Sequence, residues 1–338
     1  MDLTTRYLGL QLRNPLVASA SPLSNTVDGV RRLADAGVGA VVLFSLFEEQ
    51  LRREAAQNAA LADAGTDSFA ESLSYFPEAA DADPGPRRYL SLLERAVAAV
   101  DIPVIASLNG CTAGGWTGYA SALEQAGAAA IELNIYHLPG DPLVPGRDIE
   151  QRHVEILTTV KAVVRIPVAV KISPFYSSVG EMALRLDRAG ADGLVLFNRF
   201  LQPDIDPETL TVSAQFGLSS PAEGRLPRAW IALLAGMRPG VRASLGATTG
   251  VEDPADVARY LLAGADAVMT ASALLRHGAG HVGVLLDGLS GWMARRGFAS
   301  VTDVRGLLSV PAGTDEAAWE RAAYIGALQA ANRGRGPW

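Results

Sequence analysis

Three stretches of this chain place polar side chains where an apolar pattern should continue. In AAAIELNIYH (128–137) an apolar run ends in Asn134, Tyr136 and His137, just before the break at Pro139-Gly140. In VAVKIS (168–173) Lys171 interrupts a run of small and β-branched residues, and in VLFNRF (195–200) a similar run leads into Asn198 and Arg199. Buried polar groups cost free energy unless they find partners, so polar groups at the ends of buried strands imply something to bind. Lys171 suits three roles: a fixed charge for an anionic ligand, a Schiff-base nucleophile, or a structural lysine in a salt bridge. His137 is a base that is neutral near physiological pH and able to accept a proton, or else a solvated loop residue.

Two further stretches are small rather than polar. SLGATTG (244–250) and TASA (270–273) each precede a helical pattern. Small residues let backbone N–H groups approach an anion, and a helix N-terminus favours negative charge. The alternative is that they merely permit tight turns. The first reading makes the ligand a phosphorylated molecule. His153, His277 and His281 read as structural or surface residues. RHGAGH (276–281) shows no acidic partner at a strand end, so no metal site is expected. Cys111, the single cysteine, reads as an inert thiol near the site.

The elements that must position these residues repeat. ADAGVGAVVL (34–43), EQAGAAAIEL (124–133), DRAGADGLVL (187–196) and LLAGADAVMT (261–270) share one phrase: Ala-Gly, a small spacer, an apolar run. Gly37, Gly127, Gly190 and Gly264 are placed to end helices in the left-handed conformation. DIPVIASLNG (101–110) and RIPVAVKIS (165–173) open strands with proline, and NPLVASA (14–20) and VRASLGA (241–247) add two more. Helices are expected over 26–36, 47–62, 87–100, 115–126, 148–164, 178–189, 227–237 and 252–263. This alternation predicts a single (β/α)8 barrel with loop insertions. A doubly wound sheet is disfavoured because no GxGxxG follows the first strand. Chemistry in such a barrel sits at the carboxyl ends of the strands, and all the polar and small stretches above fall there. The barrel is expected over 1–310, followed by a C-terminal helical extension and tail over 311–338. The acidic, proline-rich segment 63–86 reads as a lid whose Tyr75 and Phe76 cover the site, or as a mobile or dimer-contact insertion.

Composition narrows the class. Of 338 residues, 49% are apolar and 19% charged, with a net charge of -7. That argues against a nucleic-acid surface. No apolar stretch reaches the ~18 residues of a membrane span, the start lacks a signal-peptide pattern, and one cysteine permits no internal disulfide. The expectation is a cytoplasmic protein acting on a small molecule.

The motifs NPLVASASPLS, VIASLNG, ELNIYHLPGDP, VAVKISPF, VLFNRF and LGATTGVEDPADVARYLLAGADAVMTASALL, in this order, resemble the dihydroorotate dehydrogenase superfamily, and more closely its dihydroorotate dehydrogenase-like flavoproteins. The resemblance spans roughly residues 3–310. It implies FMN at the barrel mouth, an oxidoreductase acting on CH–CH donors, and a link to pyrimidine metabolism. It also implies a homodimer and, because no iron–sulfur cysteine set is present, a separate electron-transfer protein. Ala18, Ser19 and Ser45 match flavin-contacting positions, while Asn109 and Asn134 match polar positions around ring and substrate. Lys171 matches the lysine at the flavin N1/O2 edge, and Asn198 a substrate-anchoring asparagine. Gly246 to Val251, with Thr248, Thr249 and Gly250, and Ala271-Ser272 match the phosphate cradle, with one glycine fewer than usual.

Three positions depart from the resemblance. Phe44 stands where a lysine is common, His137 where the soluble enzymes carry a cysteine base, and Arg199 where a small hydroxyl is usual. Each touches substrate chemistry more than flavin binding. The expectation is a small anionic or amide substrate other than dihydroorotate, held by Asn134, Asn198 and Arg199, with His137 moving a proton. The alternatives are a Schiff-base lyase or aldolase using Lys171, and a flavin-binding barrel without turnover.

Overall fold

The structure is a computed structural model that describes residues 1–51, 86–110, 117–137, 140–199, 203–213, 217–237 and 240–332. The expectations for Cys111 and for residues 63–85 of the 63–86 insertion, with Tyr75 and Phe76, lie outside these residues. Eight parallel strands close a barrel: β3 (Leu16–Ala18), β4 (Ala40–Phe47), β5 (Val104–Gly110), β6 (Ala130–Ile135), β7 (Val168–Ile172), β8 (Gly193–Leu196), β11 (Ser244–Ala247) and β12 (Ala267–Thr270). β11 pairs with both β8 and β12, and β12 pairs with β3, which completes the ring. The fold is the expected (β/α)8 barrel.

The helices follow their strands. They are α1 (Val27–Asp35), α2 (Pro86–Ala99), α3 (Thr117–Gln125), α4 (Gly146–Lys161), α5 (Val179–Arg188), α6 (Arg225–Gly236) and α7 (Pro254–Ala263). Their starts are written locally. Thr26 and Ser178 accept from the N–H of Gly29 and Glu181, and Asp253 with Asp256 forms a capping box ahead of Pro254. The Ala-Gly phrase does what its chemistry suggests: Gly37, Gly127, Gly190 and Gly264 all have φ between +89° and +116°.

The outer helical layer differs from expectation after the last strand. Ser272–His277 and His281–Arg296 close it there, and a further helix spans Glu316–Asn332. Of the helix expected over 47–62, residues 47–51 are described: Phe47 still belongs to β4, and 48–51 are helical. Two hairpins lacked a barrel-type signature in the sequence. β9 (Asp204–Asp206) and β10 (Thr211–Ser213) pair on the surface, whereas β1 (Thr5–Tyr7) and β2 (Leu10–Leu12) pair beneath the barrel. Tyr7, Leu8 and Leu12 pack with Val17, Val42, Ile105, Val195 and Met269 inside the barrel. The hairpin thus fills the amino-end of the barrel, and the open end is the carboxyl end. No helix among the described residues is long and apolar enough to cross a membrane.

Candidate active site

Side chains alternate in and out along each strand, so register decides which residues share a layer. Ser45, Ser107 and Glu132 lie in register on β4, β5 and β6, and the next layer up aligns Phe47, Asn109, Asn134 and Lys171. The Ser45 and Ser107 hydroxyls are 2.9 Å apart. Reaching this layer requires an irregularity in β4. Val42 pairs with Ile105 and Ser45 with Ser107, so β4 carries one extra residue there. This bulge lets Val42 and Ser45 both point inward. Phe44 then joins the cavity wall and its ring packs 5.1 Å from that of Tyr89 on α2. Tyr89 is itself fixed, its hydroxyl accepting from the Ser107 N–H at 2.9 Å.

Lys171 reaches the cavity floor. Its ammonium lies 3.5 Å from Glu132 Oε1, an ion pair without a hydrogen bond, and its side chain is 11% exposed. Asn198 donates its amide to Asn134 Oδ1, so Asn198 lines the cavity while Asn134 stands behind it. Arg199 also lines the cavity, but its guanidinium is engaged. Nε donates to Glu223 at 2.9 Å and Nη1 to the Gly217 carbonyl at 2.6 Å.

The small-residue corner is formed by Thr248, Thr249, Gly250, Ala271 and Ser272, all lining the cavity. Ser219 ties its two halves together. The Gly250 N–H donates to Ser219 Oγ at 3.3 Å, and the Ser219 N–H donates to Ser272 Oγ at 3.0 Å. Tyr260 braces the corner from α7, donating to the Thr249 carbonyl at 2.6 Å. Thr249 occupies a left-handed conformation with φ +79° although it is β-branched. Gly246 does not reach the corner. A Cβ there would lie 3.0 Å from the Tyr7 hydroxyl and 3.1 Å from Met269 Cε, so this glycine makes room inside the barrel. Beside the corner, Glu252 bonds Arg276 and His277, the latter at 2.7 Å, and its carbonyl meets His281 Nε2 at 2.8 Å. The acidic partner that the sequence lacked for His277 is therefore Glu252. Burial pushes the Glu252 carboxyl up, but the bonds from Arg276 and His277 outweigh it and hold it below its ordinary value.

One cavity of about 940 Å³ collects most of these groups. Of the residues singled out in the sequence, Ser19, Ser45, Lys171, Asn198, Arg199, Thr248, Thr249, Gly250, Ala271 and Ser272 line it. Ala18, Asn109, Asn134, Gly246 and His137 do not. Ala18 packs in the layer between barrel and helices, and Asn109 pairs in register with Asn134. His137 lies beyond the end of β6, where partial burial and then Arg152 lower its pKa. Its neighbour His153 is buried on α4 with Nδ1 2.9 Å from the Ile149 carbonyl.

Sequence reasoning missed Ser219 and two arginines. Arg88 and Arg95 of α2 line the cavity, with no hydrogen-bond or ion-pair partner among the described residues. Their spacing of seven on one helix face was legible, but not that this face meets the cavity.

The family model for dihydroorotate dehydrogenase matches residues 2–293. An Aeropyrum pernix protein whose name assigns it provisionally as dihydroorotate dehydrogenase A (fumarate) is 30% identical over 311 residues, covering 90% of this chain and 97% of that protein. The catalytic subunits named dihydroorotate dehydrogenase B (NAD(+)) from Methanothermobacter thermautotrophicus and Pyrococcus abyssi are 26% and 28% identical, each match covering 90% of this chain and 98% of the relative. With the barrel closed and the cavity at its carboxyl end, the motif order and the whole-length match agree: the chain belongs to the dihydroorotate dehydrogenase family.

Proposed function

We propose that the protein is an FMN-dependent oxidoreductase that acts on the CH–CH bond of a small anionic substrate other than dihydroorotate. The observation that carries the cofactor is the pairing of a small-residue corner with a lysine across one cavity. Thr248 to Gly250 and Ala271-Ser272 supply a corner in which backbone can approach a phosphate, and Lys171 presents an ammonium with no hydrogen bond to the described residues. These residues fit FMN: the corner would hold its phosphate and Lys171 its N1/O2 edge. FMN when bound supplies the hydride acceptor. The family match disfavours the Schiff-base alternative.

The substrate part rests on three cavity-wall features. Phe44 contributes an apolar ring where a cation is common in the family. Arg199 is fixed by Glu223 and Gly217, and its bulk narrows the cavity beside Asn198. Arg88 and Arg95 add two positive charges, unpaired among the described residues, that favour an anionic group away from the flavin corner. Asn198, held by Asn134, would orient the substrate. No imidazole lines the cavity among the described residues, so His137 as the base requires a movement of the segment after β6.

A second reading, dihydroorotate itself, is favoured by the names of the relatives. The relatives named as catalytic subunits support a separate electron-transfer subunit as partner. The deciding experiment is anaerobic mixing. Mass spectrometry of the released ligand is expected to give FMN; FAD or no flavin across several preparations refutes the cofactor. Dihydroorotate is expected to bleach the flavin slowly or not at all. Bleaching at ordinary enzymatic rates establishes the second reading instead.

A further inference from the structure

Glu132 is a buried carboxylate without a hydrogen-bond donor among the described residues. Its side chain is 2% exposed, and neither oxygen accepts a hydrogen bond from them. The polar groups around it are neutral. The Ser107 hydroxyl, in register beside it, is engaged with Ser45; the hydroxyl of Tyr89, on α2, is engaged with the backbone of Ser107; and the Tyr7 hydroxyl has no partner among the described residues. Burial, and then the charges of Glu132 and Asp266, raise the Tyr7 pKa. Lys171 lies within ion-pair distance of Glu132, at 3.5 Å, and Glu132 has no other cation that close among the described residues. An isolated carboxylate in such a place is strongly disfavoured unless a cation compensates it.

The geometry assigns a role to this pair. We propose that Glu132 is a positioning residue: it is the counter-ion that holds the Lys171 ammonium at the cavity floor and sets the charge displayed there. At 3.5 Å the carboxylate attracts the ammonium without taking its N–H donors, so the donors remain directed at a ligand. The floor then displays a compensated charge rather than a bare ammonium. A cofactor that gains negative charge on reduction is stabilised less by a compensated ammonium than by a bare one. Glu132 therefore lowers the midpoint potential of the bound cofactor. The sequence gives the same arrangement in outline. Glu132 precedes Asn134 by two, so both face inward, and Lys171 sits beside Asn134 in register, one layer above Glu132.

Two measurements test this, and only the second rests on the flavin reading. In flavin-free protein, Lys171→Met is expected to lower the urea midpoint sharply, because it strands a buried carboxylate. Adding Glu132→Gln to the same chain is expected to recover most of the loss. A double variant no more stable than Lys171→Met overturns the pairing. In FMN-loaded protein, Glu132→Gln is expected to raise the midpoint potential by about 30 mV, a tenfold shift in a two-electron equilibrium. An unchanged or lower potential overturns the tuning role. If the protein takes up no FMN, the flavin reading fails while the stability cycle still judges the pair. If Glu132→Gln alone does not fold, Glu132→Asp, which keeps the charge but draws it back, is measured instead. It is expected to raise the potential by less than about 30 mV, a shift of less than tenfold in the equilibrium, and an unchanged or lower potential again overturns the tuning role.

Discussion

Replacing Gly250 with alanine adds one methyl group where the backbone has no room for it. The residue has φ +70°, and an ideal Cβ would lie 2.6 Å from Gly224 N, 2.9 Å from Gly224 Cα and 2.9 Å from the Ser220 carbonyl oxygen. A left-handed conformation costs an L-residue roughly 1–2 kcal/mol. The contacts add to this, and because all three atoms are backbone, no rotamer change relieves them. Overpacking of this kind costs typically about 1–3 kcal/mol. The sum is about 3 kcal/mol, and any shift that relieves the clash moves Gly250 N away from Ser219 Oγ, now at 3.3 Å. Ser219 in turn holds Ser272, so both halves of the small-residue corner loosen together. Urea denaturation of the flavin-free protein is expected to give that loss with an unchanged m-value. FMN titration by fluorescence quenching is expected to show at least a tenfold weaker affinity. A variant within about 1 kcal/mol of wild type that binds FMN equally well would show that the 220–224 turn yields freely, and would refute this account of the corner.

Three further outcomes are expected. Thr249→Gly should stabilise the protein by roughly 1 kcal/mol in urea melts, because a β-branched residue at φ +79° stores strain and gives up only a 3.4 Å contact from its hydroxyl to the Phe197 carbonyl; a loss of stability contradicts this. Gly246→Ala should cost about 1–2 kcal/mol, less than Gly250→Ala, because the atoms it meets are the side-chain ends Tyr7 Oη and Met269 Cε, which can shift. His153 is buried, and burial lowers its pKa below 6.5 in spite of the opposing bond to Ile149. A base whose folded pKa is depressed contributes stability that is present above the unfolded value and lost as pH falls toward the folded one. Urea midpoints should therefore drop between pH 7 and pH 5, and His153→Gln should flatten that drop; an equal drop in both proteins assigns it elsewhere.

Much of this protein is written in local pattern. The Ala-Gly phrase ends helices in the left-handed conformation and starts buried strands, and it located four of the eight barrel strands. Lys171 could be placed at the cavity because an inward position near a strand's carboxyl end follows from a period of two. The small residues of 248–250 and 271–272 were legible for the same reason: their place at strand ends depends on sequence distance alone. What required the closed barrel was every pairing across it. Glu223 takes up Arg199 from 24 residues away, Ser219 joins Gly250 and Ser272, and Glu252 supplies the carboxylate for His277. The hairpin of Tyr7 plugs the barrel's lower end, and the bulge between Val42 and Ser45 turns Ser45 inward against the simple alternation. The face of α2 that carries Arg88 and Arg95 meets the cavity because α2 packs against β4 and β5. Periodicity fixes which way a side chain points from its own strand or helix. Which partner it meets depends on register and ring closure, and these bring together residues whose separation in the chain carries no local signal.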